Sequence, residues 1–325
     1  MSARRLIQFV SFVALFEVAG IAILHALRFG GGRQTMPSPV TGSPSEPRQI
    51  RVVASKRAMR PEVNRAVLPD VSAAIAVICG KDRASANRYE ARNDALRSIA
   101  RRRDLSAEDV AALMAYVASG KGALHPAREA ALRNDVLNLL RDQEPVPTGL
   151  SGLLVDIVRK GRHDATLVDY AIQHLGALQR DLRDVEMVRR VRNALFDAAS
   201  GIEKPYAGTA LYALADARAM TDAESGRLRR LTVVACSPRA NPLVRLSALQ
   251  LAGQRGYREV LPYVRSVLRG DRLDAVADTV VVGTLGLLGE ASDVGLIESF
   301  AAKGGSRLAG PCAAAVERIN GRMKE

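Results

Sequence analysis

A short apolar cassette recurs seven times along the 325 residues of this chain, and no other feature constrains its fold as strongly. The cassette is a small residue, then a branched apolar one, then a third apolar position four residues after the first. It reads Ala95/Leu96/Ile99, Val136/Leu137/Leu140, Ala171/Ile172/Leu175, Ala210/Leu211/Leu214, Ala248/Leu249/Ala252, Thr284/Leu285/Leu288 and Ala315/Val316/Ile319, with steps of 41, 35, 39, 38, 36 and 31 residues. Periods of this length mark stacked helical pairs, each burying its apolar face only against its neighbours. Between the cassettes run second helices with their own 3.6-residue stripe, clearest at Leu150/Leu153/Leu154/Ile157/Val158, Val260/Leu261/Val264/Val267/Leu268 and Val110/Leu113/Met114/Val117. The expected fold is all-α, a right-handed solenoid of about seven helical pairs over residues 61–325.

Start and stop signals fit that scheme. Thr221 with Glu224, and Ser106 with Asp109, have capping-box spacing. His125-Pro126, Asn241-Pro242 and Gly310-Pro311 place Pro at a first helical position, and Gly120, Gly161, Gly201, Gly270 and Gly304 fall where helices should end. With 48% apolar residues, 4% aromatic and no Trp, the core is filled by Ala, Leu, Val and Ile. Cys79, Cys236 and Cys312 are odd in number and far apart, so they read as buried structural thiols rather than a disulfide frame or zinc site.

The first 60 residues are different. They hold nine of the Lys and Arg against two acids, so +7 of the net +13 sits there. Leu6 to Leu27 is long enough to cross a bilayer, at about 1.5 Å per residue, and is flanked by Arg4, Arg5, Arg28 and Arg33. Residues 1–29 are therefore read as a membrane anchor or signal segment, with small residues at Val18-Ala19-Gly20 near a cleavage point. The Pro/Gly/Ser-rich basic stretch 30–60 is read as a tether. Glu17 lies near the middle of the span, where a hydrogen bond to another copy would pair helices and make a homo-oligomer. The implied location is a bacterial inner membrane, single-pass, with the repeats in the periplasm, or secretion after cleavage.

Val244-Arg245-Leu246-Ser247-Ala248 through Ala252, followed by Arg258-Glu259-Val260-Leu261-Pro262-Tyr263-Val264, resembles the HEAT-repeat family, including its phycobilisome-lyase-type variety. Ser292 to Phe300 looks like the next partner helix. The resemblance is good over about 205–325, fainter over 85–204 and absent before 60. It implies a helical-repeat fold and a binding surface rather than a particular activity. The family Arg, present as Arg245, is replaced by Asp278 or Ala313 at nearby equivalent points, so no continuous charged ladder is expected.

Chemistry is sparse. His25, His125, His163 and His174 are the only histidines and none begins a His-Glu pair, so the iron-binding motif of the deoxyhypusine hydroxylases, which share this repeat fold, is missing. No GxSxG, HExxH, Walker A or GxGxxG pattern occurs, and Gly283-Thr284-Leu285-Gly286 reads as a close-packing stretch inside a helix. Tyr170, Gln173 and His174 share a helix face, and with Arg245 they are the candidate binding surface. No catalytic, metal-binding or cofactor residue is assigned, and no cofactor is expected. The function read from the sequence is a noncatalytic, membrane-tethered scaffold that binds another protein. DNA-glycosylase-like or other DNA-binding repeats and a bilin-lyase-like enzyme are the alternatives, and nucleic acid is not the expected partner.

Overall fold

The structure is a computed structural model that describes residues 70–119, 122–160, 164–270 and 275–324. The chain divides into two units, Met1–Asn64 and Arg65–Glu325, and every described residue lies in the second. Leu6 to Leu27, Glu17, the 30–60 stretch, His25, His163, Gly120 and Gly161 lie outside the described residues.

Among the described residues there are fourteen α-helices and no strand. They are α1 (Val71–Ile78), α2 (Tyr89–Ile99), α3 (Ala107–Ala118), α4 (Pro126–Arg141), α5 (Leu150–Lys160), α6 (Ala165–Leu178), α7 (Val185–Ser200), α8 (Ala207–Ala215), α9 (Asp222–Ala235), α10 (Pro242–Arg255), α11 (Leu261–Arg269), α12 (Ala275–Leu288), α13 (Val294–Gly304) and α14 (Ser306–Arg322). Each odd helix packs against the even helix that follows it, and each even helix packs against the next even one. All seven cassettes fall on even helices, and Leu96, Ile99, Leu137, Leu140, Leu175, Leu211, Leu214, Leu249 and Leu285 are buried there. The family-like pairing of Val244–Ala252 with the segment after it is therefore corrected: α10 packs on α9 before it, and the chain after α10 leads into the next pair.

From α6 onward the even helices approach closely because each interface places a glycine at the crossing. A Cβ at Gly176 would stand 3.0 Å from Ala213 Cβ, one at Gly208 2.7 Å from Ser247 Oγ, one at Gly253 2.9 Å from Leu287 Cδ1 and one at Gly286 2.8 Å from Ala315 Cα. Polar side chains stitch the same layer: Thr209 Oγ1 donates to Asp169 at 2.6 Å, Tyr212 OH to Gln250 at 3.2 Å and Thr284 Oγ1 to the Leu249 carbonyl at 3.2 Å.

Charge is unevenly spread over the helices. Helices α6, α8 and α12 expose no charged side chain, whereas α7 exposes Glu186, Arg189, Arg190 and Asp197. A run of ion pairs links successive odd helices through Arg192–Glu224, Arg229–Glu259 and Arg265–Asp293, each Arg reaching an acid at the start of the next odd helix. These pairs form a ladder of their own, separate from the positions equivalent to Arg245.

The caps fall largely as expected. Thr221 and Glu224 form a reciprocal capping box, and Gly201 and Gly270 cap α7 and α11. Pro126 and Pro242 open α4 and α10. Pro311 does not open a helix; it lies inside α14, whose first turn begins upstream at Ser306. Helix α13 ends at Gly304, as expected, and Gly305 with φ 66° makes the turn.

Candidate functional site

The described residues gather buried charge most densely where α1, α2, α3 and α4 meet. Arg92, in the first turns of α2, points inward and is 2% exposed. Its Nε and Nη2 donate to the Ile78 carbonyl at 2.8 and 2.6 Å, satisfying the last carbonyl of α1, which has no partner within its own helix. Its Nη1 reaches Glu129 Oε2 at 3.3 Å. Glu129 sits in the first turn of α4, where the helix dipole favours a carboxylate. It also accepts from Tyr116 OH at 2.7 Å and Leu124 N at 3.4 Å, and it pairs with Arg133 one turn along at 3.4 Å. The Tyr116 ring lies 5.1 Å from the Arg92 guanidinium and 5.3 Å from that of Arg133, within cation–π range.

Arg92, Tyr116 and Glu129 wall a recess of about 540 Å³, whose lining also includes Cys79, Lys81 and Ser119, with Arg133 behind it. Cys79, expected to be buried, is half-exposed here. Burial pushes its thiol up, and the nearby Lys81 and Arg92 charges only partly oppose that, so the sulfur stays protonated at neutral pH. Burial first, and the bond to Glu129 second, raise the Tyr116 hydroxyl well above the ordinary phenol range. Neither group is activated as a nucleophile or base. Two cations, Arg92 and Arg133, pair with the one carboxylate of Glu129, and Lys81 with Arg92 lines the recess against that single acid. Among the described residues no group of three or more His, Cys, Asp and Glu is placed to hold a metal ion.

The residues singled out in the sequence do not assemble into one site. His174 is 4% exposed and turned between α4 and α6, with Nε2 3.1 Å from Asn134 Oδ1 and Nδ1 3.5 Å from Arg141 Nη1. Burial, helped by the Arg141 charge, lowers its pKa to about 4. Gln173 is exposed and bonds Asp169 at 3.1 Å, and Tyr170 is half-buried beside it. Arg245 lies on α10 and donates to the Ala240 carbonyl at 3.2 Å and the Pro238 carbonyl at 3.4 Å.

One signal in the sequence points to the recess. Arg92, Arg133 and Arg245 each stand three residues before a cassette's first position, at Ala95, Val136 and Ala248. In all three the guanidinium folds back to the end of the preceding odd helix or the turn after it. The register of Arg245 is absent at Asp278 and Ala313 but recurs at Arg92 and Arg133 in the first two repeats, and these two arginines share Glu129. Glu129 itself is masked by the ordinary frequency of acids in a first helical turn.

No protein-family model matches this chain, and no curated protein matches it. Among solved structures, the chain is similar to human deoxyhypusine hydroxylase in complex with glycerol, at 14% identity and a TM-score of 0.32, over 77% of this chain and 96% of that one. That likeness lies at the level of an all-helical repeat fold and transfers no residue role. The expectation of a noncatalytic scaffold is corrected to this extent: the similar solved structure is an enzyme's. The single-pass inner-membrane placement gains no support: no helix among the described residues is long and apolar enough to cross a membrane, and Leu6 to Leu27 lie outside them.

Proposed function

We propose that this protein binds a small anionic ligand in the recess between α1 and α4. The observation that carries the reading is the placement of Arg92 and Arg133, 2% and 3% exposed, around the single carboxylate of Glu129, with Lys81 exposed at the mouth. Buried arginines impose a positive potential that solvent screens poorly, and with Lys81 they outnumber the one carboxylate beside them. The backbone of Gly122 lies against the Glu129 carboxylate, so close that a Cβ there would overlap it at 2.0 Å. The α3–α4 connection is thereby tied to the same charge cluster that would receive the ligand. At the level of the fold, we read the helices as a right-handed, HEAT-like array of seven pairs, with the closely packed even layer on the inside of its curve.

The test is calorimetric titration of the whole chain with inorganic phosphate and with citrate, at low salt. Saturable binding of either anion is expected, weakened at least tenfold by Lys81→Glu with no change in the melting temperature of the free protein. Equal binding by the Lys81→Glu chain, or no saturable binding by either anion, overturns the reading.

A further inference from the structure

We propose a second binding site, independent of the first, at the C-terminal ends of α10, α12 and α14, for a small amphiphile with an apolar body and an anionic head. A recess of about 390 Å³ opens there, inside the size range of small-molecule pockets. Its floor is Leu288 and Ile319, 7% and 1% exposed, and its walls include Leu287 and Met323. Those last two are 40% and 58% exposed, and few large apolar side chains in the described residues are so open. The others, Val146, Val185 and Val234, line neither recess. Scattered exposed apolar residues need no explanation, but two that converge on one concavity over a buried apolar floor do.

The rim supplies the second half of the ligand. Arg322 donates to the Gly286 carbonyl at 2.8 Å and the Gly289 carbonyl at 2.9 Å. These bonds neutralise the end of α12, where exposed carbonyls would otherwise repel an anion. A guanidinium has five N–H donors, so Arg322 keeps others for a ligand. Across the recess Arg258 pairs with Glu290, and both are more than half exposed, so the pair is weak and an incoming carboxylate can compete for Arg258. Two guanidiniums against one carboxylate leave the rim positive, while the floor is apolar. A molecule satisfying both lays its chain on Leu287, Leu288, Ile319 and Met323 and its head at Arg258 and Arg322.

Octanoate is the probe, with octanol as its uncharged counterpart, each titrated below its aggregation limit into the full chain. Saturable octanoate binding at least tenfold tighter than octanol is expected. Leu287→Glu and, separately, Met323→Glu should each abolish it, two positions being used so that a folding defect at one does not decide the result. Lys81→Glu should leave octanoate binding unchanged, which separates this site from the recess at α1–α4. Equal affinity for octanoate and octanol, non-saturable uptake, or binding that survives both glutamate variants in folded protein overturns the proposal.

Discussion

Arg92 shows how one residue can serve a helix end and a recess at once. Its guanidinium caps α1 through Ile78 and at the same time meets Glu129, so the cluster is held by structural bonds before any ligand arrives. Glu129 is the hub: removing it takes the carboxylate partner from two buried arginines. Glu129→Ala should cost about 3–5 kcal/mol in urea unfolding, the usual consequence of breaking a buried ion pair from one side. A loss below about 1 kcal/mol would show that water relieves the arginines. His174 makes a pH prediction with a definite sign. Its folded pKa of about 4 lies below the ordinary value of 6.5, so the unfolded chain takes up the proton first as pH falls. The stabilisation from keeping it neutral is full above pH 6.5 and is lost between there and pH 4, roughly 3 kcal/mol in all. Stability measured from pH 7 to 4 should fall more steeply in the native chain than in His174→Gln. Parallel curves would show that the imidazole does not carry the effect. Asp293, lowered by Arg265, and Glu224, lowered by the Thr221 backbone N–H and then by Arg192, add acid sensitivity at lower pH in both chains and so cancel in the comparison.

At the scale of the element, two glycines in α12 separate close packing from mere helix content. Gly283 has nothing within 4 Å of where a Cβ would stand, while at Gly286 that atom would meet Ala315 at 2.8 Å. Gly283→Ala should therefore stabilise by about 0.4–1 kcal/mol, by restricting the unfolded chain. Gly286→Ala should destabilise by about 1–3 kcal/mol, by forcing α12 and α14 apart. Denaturant midpoints moving in opposite directions are the expected result, and the same sign for both would refute the crossing geometry. The helices themselves were legible, since their apolar stripes, proline starts and capping boxes are local patterns. The α14 start was not, because Gly310-Pro311 imitates an opening turn although the helix already runs from Ser306. Nor was the pairing of α10 with α9, because turn length and cassette pattern look alike on both sides of an even helix.

At the scale of the molecule, contacts that run only between neighbouring helices make stability regional. Leu285→Ala, in the fully buried cassette of α12, should cost about 2–5 kcal/mol locally. Amide exchange should then speed up in α10, α12 and α14 and stay unchanged in α2 and α4. Uniform acceleration along the chain would mean a single cooperative core instead. The sequence by itself determined the helices, their number and the side each buries, because a 3.6-residue period and a repeating cassette are properties of neighbours along the chain. Only the tertiary structure decided which helix pairs with which, that Arg92 and Arg133 meet over Glu129, and that Leu287, Met323, Arg258 and Arg322 share one recess. Those residues are tens of positions apart, and what brings them together is the angle and spacing at which whole helices stack, set by side-chain volumes at crossings such as Gly286 on Ala315.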